Sequence, residues 1–366
     1  MYKNLWKENK ASYICGILCS SRTRLDSCFA SASNPPPKSI LNPPPQGRGS
    51  STDPPQTMSS RRAPSPATTV VPLPPSAPRP PRPRRSDVFV RLVCAENLMP
   101  ELATIRALLP RYPYVTVYAE HAAGVGAGDD FADADADGRA ALPPGVRVEG
   151  LPAAARYALA KIDVDAFPLL RLGITLCDAH GRLPALRAAP WAAAAAASVW
   201  QVGLLPGGGG GPGAATTLRA LAYALRATGV VSAETRGNVT WVAHGALYHL
   251  GFLLKALTGG APLPDTRGEF LAALRGYLGG RVFDVRYVAA RVPRGVTLRG
   301  PLAYLAALLG APAAAARGPW QAGEKSLAAC QVFMRIKGLY FAWDGVDMHA
   351  GCIDGLHAPP PWSSSS

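Results

Sequence analysis

The sequence predicts an α/β domain in which one mixed, twisted sheet is flanked by helices, preceded by a disordered tail rich in Pro, Ser and Arg. Three observations point there. Short apolar, β-branched runs come early, Tyr114–Glu120 (YVTVYAE) being the strongest. Segments with apolar residues three and four apart dominate later. Strands running into helices around one core make a layered α/β domain. Before residue 87 neither pattern is present. Proline triplets at 35–37 and 43–45, then Pro72, Pro74, Pro75, Pro78, Pro80, Pro81 and Pro83, forbid a continuous helix or central strand there.

The elements follow in order. Val88, Val90, Leu92 and Cys94 alternate as in a short strand. Asn97 is placed to cap a helix carrying Leu98, Leu102, Ile105 and Leu109 on one face, stopped by Pro110 and Pro113. Tyr114–Glu120 reads as a central strand, buried on both faces. Leu169–Leu176 is another strand, turned by Asp178–Gly181. Leu218–Thr228 is an apolar helix ended by Gly229. Val239–Ala243 is a strand running into a helix from Gly245 to Leu257, stopped by Gly259 and Gly260. Phe270–Tyr277 and Leu302–Leu309 are further helices, and Trp320–Ile336 is the last long one. Three segments interrupt this pattern: the acidic, alanine-rich Gly126–Gly138, the polyalanine Trp191–Ala197, and the glycine run Gly207–Gly213. The resulting division is a basic tail over 1–86, a domain over 87–340 and a short C-terminal tail over 341–366.

Charge follows the same division. Met1–Ser86 holds 13 Lys and Arg against 3 Asp and Glu, a net +10. The whole chain carries +14, so +4 is left for the remainder. A basic pI is therefore mostly a property of the tail and does not argue for a nucleic-acid-binding core. Arg79–Arg85 (RPPRPRR) reads as a solubilising linker, with a nuclear address or RNA-touching arm as the alternative. Residues 1–30 are Ser-rich and acid-poor, so an organellar leader is the alternative to an untargeted tail. No apolar run reaches the ~18 residues of a spanning helix, and no membrane partner is expected.

Seven cysteines (Cys15, Cys19, Cys28, Cys94, Cys177, Cys330, Cys352) show no disulfide framework, which predicts free thiols in a reducing compartment. Cys15 and Cys19 lack the second pair a zinc site needs. Asp133, Asp135, Asp137 and Gly138 match the first half of a calcium loop, but Pro144 stands where the closing Glu belongs, so a solvated insertion is expected. Asn238–Thr240 fits a glycosylation acceptor and is equally explained as a strand start.

A further signal lies in the order of several segments. Val90–Leu98 (VRLVCAENL), Tyr112–Glu120 (YPYVTVYAE), Val164–Leu176 (VDAFPLLRLGITL), Trp200-Gln201, Trp241–Lys255 (WVAHGALYHLGFLLK), Phe283–Arg286 (FDVR) and Trp320–Leu327 (WQAGEKSL) resemble, in the same order, the deadenylase nuclease of the Ccr-Not complex, the Ccr-associated-factor type. The resemblance spans residues 87 to about 340. It implies an RNase H-like, DEDD-type exonuclease fold and removal of poly(A) tails from messenger RNA. It also implies two divalent metals, Mg or Mn, held by four carboxylates, with a His activating water. Partners implied are the Ccr-Not scaffold subunit, a leucine-rich-repeat deadenylase and the mRNA poly(A) tail. The implied location is nucleus and cytoplasm.

The resemblance fails at the residues that would do the chemistry. The family's catalytic positions fall on Tyr118, Glu120, His249, Trp320 and Lys325, and only Glu120 matches. Two dications about 4 Å apart need several carboxylates to stay bound. With Lys325 against Glu120, the ligand charge falls from −4 to zero. Lys325 is expected to pair with Glu120, and Tyr118 and Trp320 to fill vacated space. Neighbours do not repair the set: Glu324 lies ~100° round a helix from Lys325, and His244 is one position before the family's His. No cofactor is therefore expected, Glu120 being the sole retained ligand. The glycine run also replaces a helix and loop that the family places before Leu218. The expectation is a degenerate binding module of the deadenylase family. The alternative is an active poly(A)-specific 3′-exoribonuclease with a rearranged metal site.

Overall fold

The computed structural model describes residues 88–122, 148–187, 194–204, 215–292, 296, 298–312, 320–341 and 345–357. The basic tail with Cys15, Cys19 and Cys28, the acidic loop with its Asp triplet and the glycine run lie outside the described residues.

Seven strands form the sheet: β1 (Phe89–Val93), β2 (Tyr114–His121), β3 (Leu169–Cys177), β4 (Ala185–Arg187), β5 (Ala195–Gly203), β6 (Thr240–Ala243) and β7 (Val282–Asp284). Their order is β1-β5-β3-β2-β6-β7, with β4 paired to β5. β3 runs antiparallel to both of its neighbours, β2 and β5. β1–β5, β2–β6 and β6–β7 are parallel. The sheet is thus mixed, as the sequence predicts, and β2 lies inside it with seven of its eight residues buried.

Nine helices accompany the sheet among the described residues: α1 (Leu98–Leu108), α2 (Ala153–Ala166), α3 (Leu218–Ala227), α4 (Ala233–Arg236), α5 (Ala246–Leu257), α6 (Arg267–Leu278), α7 (Val285–Ala289), α8 (Leu302–Leu308) and α9 (Ala322–Tyr340). Strand alternation divides the core in two. Val115, Val117 and Ala119 of β2 pack with Leu172, Ile174 and Leu176 of β3 and with α1, α2, α3, α5 and α6. Tyr114 and Tyr118 point the other way, into a second core with α7, α8 and α9.

Three expectations need correcting. Asn97 does not cap α1 with its side chain. Its Oδ1 instead accepts from Cys94 N at 2.8 Å and its Nδ2 donates to Leu92 O at 2.9 Å, tying the strand end to the turn. The polyalanine run is not simply an interruption. Ala195, Ala196 and Ala197 begin β5 and pair with β4. Residues 198–203 then join β1 and β3. Finally, the segment after residue 340 does not behave as a tail throughout, because Val346, Ile353 and Leu356 are buried in the core.

Lys255, at the C-terminal end of α5, has a structural task. Its Nζ donates to the carbonyls of Val164, Asp165 and Phe167 at 2.7, 3.1 and 3.2 Å. These lie at the end of α2, where carbonyls lack helical partners and the dipole is negative. Lys255→Met should preserve the aliphatic packing and lose all three bonds. A loss of about 2 kcal/mol is expected in denaturant unfolding, with no change in the denaturant slope.

Candidate functional site

β2 carries the site. Glu120 is its one residue not fully buried and sits at the C-terminal end, where α/β sheets commonly place ligands. Lys325 reaches it from the first turn of α9, with Nζ 3.3 Å from Glu120 Oε1. Arg171, directly opposite Glu120 in the β2–β3 register, lies 3.2 Å from Oε2. Each carboxylate oxygen thus faces a cation. Lys325 Nζ also sits 5.3 Å from the centroid of the Tyr118 ring, and that ring packs on His249 with centroids 4.0 Å apart.

The approach of α9 to β3 puts Lys325 there. Gly173 pairs with Tyr118. A Cβ at Gly173 would come 1.8 Å from the carbonyl oxygen of Ala322, so only glycine lets the helix start rest on the strand. Further along, Thr175 Oγ1 and Ser326 Oγ share a buried hydrogen bond of 2.8 Å. Beyond it, Cys177 and Cys330 bring their sulfurs to 3.3 Å. Alternate strand residues, about 6.7 Å apart, meet helix residues one turn apart, about 6 Å, so the contacts stay in step. Gln201 of β5 fixes the start of the helix. Its Nε2 donates to Gln321 Oε1 at 2.8 Å, and its Oε1 accepts from Gly323 N at 3.1 Å. Glu324 Oε2 accepts from Gln321 N at 2.8 Å in a capping box. That carboxylate serves the helix end. Trp320 is half-buried against the core around α8 and α9.

His249 is placed by the edge of β2. Pairing with β6 ends at Thr116 and Val242, which leaves the following residues of that edge without β6 beside them. There Ala119 N donates to His249 Nδ1 at 3.1 Å. An Nδ1 that accepts this bond belongs to a neutral ring. Burial pushes the ring's pKa down to about 3, helped by His244, His121 and Lys325. Burial likewise pushes His244 down to about 3 and His121 to about 4.

The donor set does not fit a two-metal centre. One carboxylate is held by two cations, and Nδ1 of the nearest imidazole is occupied by the backbone. Among the described residues no group of three or more His, Cys, Asp or Glu is placed to hold a metal ion. The five sequence-predicted positions divide accordingly. Tyr118, Glu120, His249 and Lys325 come together, while Trp320 packs into the neighbouring core. Arg171 was missed by the sequence reading. Its signal was strand register: once Gly173 is set opposite Tyr118, residue 171 must face Glu120.

No protein-family model matches the chain. Solved structures do. The S. pombe Pop2p structure with Mg2+ and Mn2+ bound is 24% identical, with a TM-score of 0.54, over 73% of this chain and 99% of that one. A chain in the structure of the yeast NOT1 MIF4G domain co-crystallised with CAF1 gives a match of 21% identity and TM-score 0.52, covering 75% of this chain and 98% of the other. The RNase domain of yeast Pop2 is 20% identical, with a TM-score of 0.51, over 74% of this chain and 96% of that one. The chain therefore has the fold of the Pop2 RNase domains. Among the described residues, no helix is long and apolar enough to cross a membrane.

Proposed function

We propose that this protein is a deadenylase-fold binding module that does not hydrolyse RNA and that docks on a Ccr-Not-type scaffold. The observation that carries this reading is the ion pair of Lys325 and Glu120 at 3.3 Å. An ammonium held on the retained carboxylate repels a dication from the place where the family's metals would bind. Arg171 on the second oxygen strengthens the exclusion. The scaffold assignment is supported by the similarity to a chain in the structure of a NOT1 domain co-crystallised with CAF1. A leucine-rich-repeat deadenylase as second partner rests on the sequence resemblance alone.

The test measures metal, activity and stability together. The purified chain, given Mg2+ or Mn2+, is expected to leave a labelled oligo(A) 3′ end intact and to take up no stoichiometric metal. It is also expected to bind a NOT1 MIF4G domain at micromolar concentration. Glu120→Gln separates the roles of the carboxylate. Ligand carboxylates in a metal-free two-metal site repel one another, so neutralising one stabilises the protein. Here the same change strips a buried lysine of its partner and should cost about 2–3 kcal/mol. Metal-dependent trimming that disappears in Glu120→Ala would overturn the proposal and establish an active poly(A)-specific 3′-exoribonuclease.

A further inference from the structure

Of the contacts that seat α9 on β3, two are made for close approach or hydrogen bonding. Gly173 admits the backbone of Ala322, and Thr175 bonds Ser326. The contact between Cys177 and Cys330 is chemically different. The Cys330 thiol donates to Cys177 Sγ at 3.3 Å, across elements 153 residues apart in sequence. Both thiols are free and buried.

We propose that Cys177 and Cys330 form a latent disulfide, closed by a hydroperoxide, that bolts α9 to β3. A sulfur–sulfur bond is about 2.05 Å long, so the two atoms need to close a little over 1 Å, within reach of small side-chain rotations. In the first step one thiol gives up its proton and the thiolate attacks hydrogen peroxide: an S–O bond forms, the O–O bond breaks, and the departing hydroxide takes that proton and leaves as water. In the second, the other sulfur attacks the sulfenic acid: the S–S bond forms, the S–O bond breaks, and a second water leaves with the remaining thiol proton. Two thiols are oxidised by two electrons, and one hydrogen peroxide is reduced to two waters.

The closed fold restrains this chemistry. The hydrogen bond from Cys330, with burial, pushes the Cys177 thiol well above the ordinary thiol range. A thiol kept protonated is a poor nucleophile. Oxidation therefore waits for α9 to lift, and the bond then traps the helix on its return. The device couples helix opening to a covalent record of it. It also holds Lys325, on the same helix, against Glu120. The inference is independent of whether the centre hydrolyses RNA.

The test uses the full chain and hydrogen peroxide, with and without urea below the unfolding transition. Remaining thiols are alkylated and the peptides mapped without reduction. A cross-linked pair containing Cys177 and Cys330, lighter by two hydrogens than the separate thiols, is expected, and more of it in urea. The oxidised protein should melt about 5 °C or more higher, reversibly with dithiothreitol. The double variant Cys94→Ser, Cys352→Ser should keep both results, and Cys330→Ala should lose both. Separate alkylation of Cys177 and Cys330 after peroxide has oxidised Cys94 and Cys352 would overturn the proposal. So would an oxidised form that melts lower.

Discussion

Acidification from pH 7 to about pH 4.5 should unfold the domain. His121 and His244 are buried and His249 is half-buried, and their folded pKa values lie near 4, 3 and 3. In the unfolded chain each returns to about 6.5. For a base with a depressed folded pKa, stability is complete above the unfolded value and is lost as pH falls below it. Each histidine contributes about 1.4 kcal/mol per pH unit in that window, so three together contribute about 4. Asp284 works the other way, since burial raises its pKa to about 6, but it is one group against three. The net slope, near 3 kcal/mol per unit, exhausts a typical 5–15 kcal/mol within a few units. Circular dichroism across pH 7 to 4 checks this. His121 stacks on Phe252 with its ring centroid 4.7 Å away, and its Nδ1 is buried without a partner. His121→Phe should therefore flatten the acid slope by about one histidine's share. An unchanged slope in that variant would mean that His121 is not part of the acid response.

Gly173→Ala should be among the most damaging single methyl additions to the domain. The new Cβ would meet Ala322 O at 1.8 Å and Ala322 C at 2.3 Å. Both are backbone atoms and cannot rotate away, so the start of α9 must lift. That strains the Thr175–Ser326 bond and withdraws Lys325 from Glu120. A loss of about 3 kcal/mol or more is expected, read as a melting temperature about 6–12 °C lower. Gly276→Ala is the control, because nothing lies within 4 Å of its Cβ on the exposed face of α6. That change should be neutral or slightly stabilising. Equal melting temperatures for the two variants would refute the close seating of α9.

The same contrast explains what could be read without coordinates. β2 was legible because a run of β-branched and aromatic residues has few places to go except the middle of a sheet. The first half of β5 was not, because alanine carries no branch or bulk that marks a strand. Ala195–Ala197 are strand because β4 lies beside them. Asn97 shows the opposite failure: a residue type suited to a helix cap was claimed by the backbone of β1. In the site, the pairing of Lys325 with Glu120 followed from the family resemblance, which puts both at metal-ligand positions, together with their opposite charges. Arg171 needed the strand register. The bond from Ala119 to His249 needed the point where β6 stops accompanying β2. Neither is a property of any short stretch of sequence.

The place of β2 between β3 and β6 also has a consequence while the chain is being made. Thr116 pairs with Val242, and 242 − 116 = 126 residues separate them. At a translation rate of about 5–20 residues per second, that interval lasts roughly 6–25 s. During it, a strand that will lie inside the sheet has one flank of unpaired amides and carbonyls open to any extended chain nearby. A nascent polypeptide in that condition is a natural client for ribosome-associated chaperones, and their depletion should lower the soluble yield.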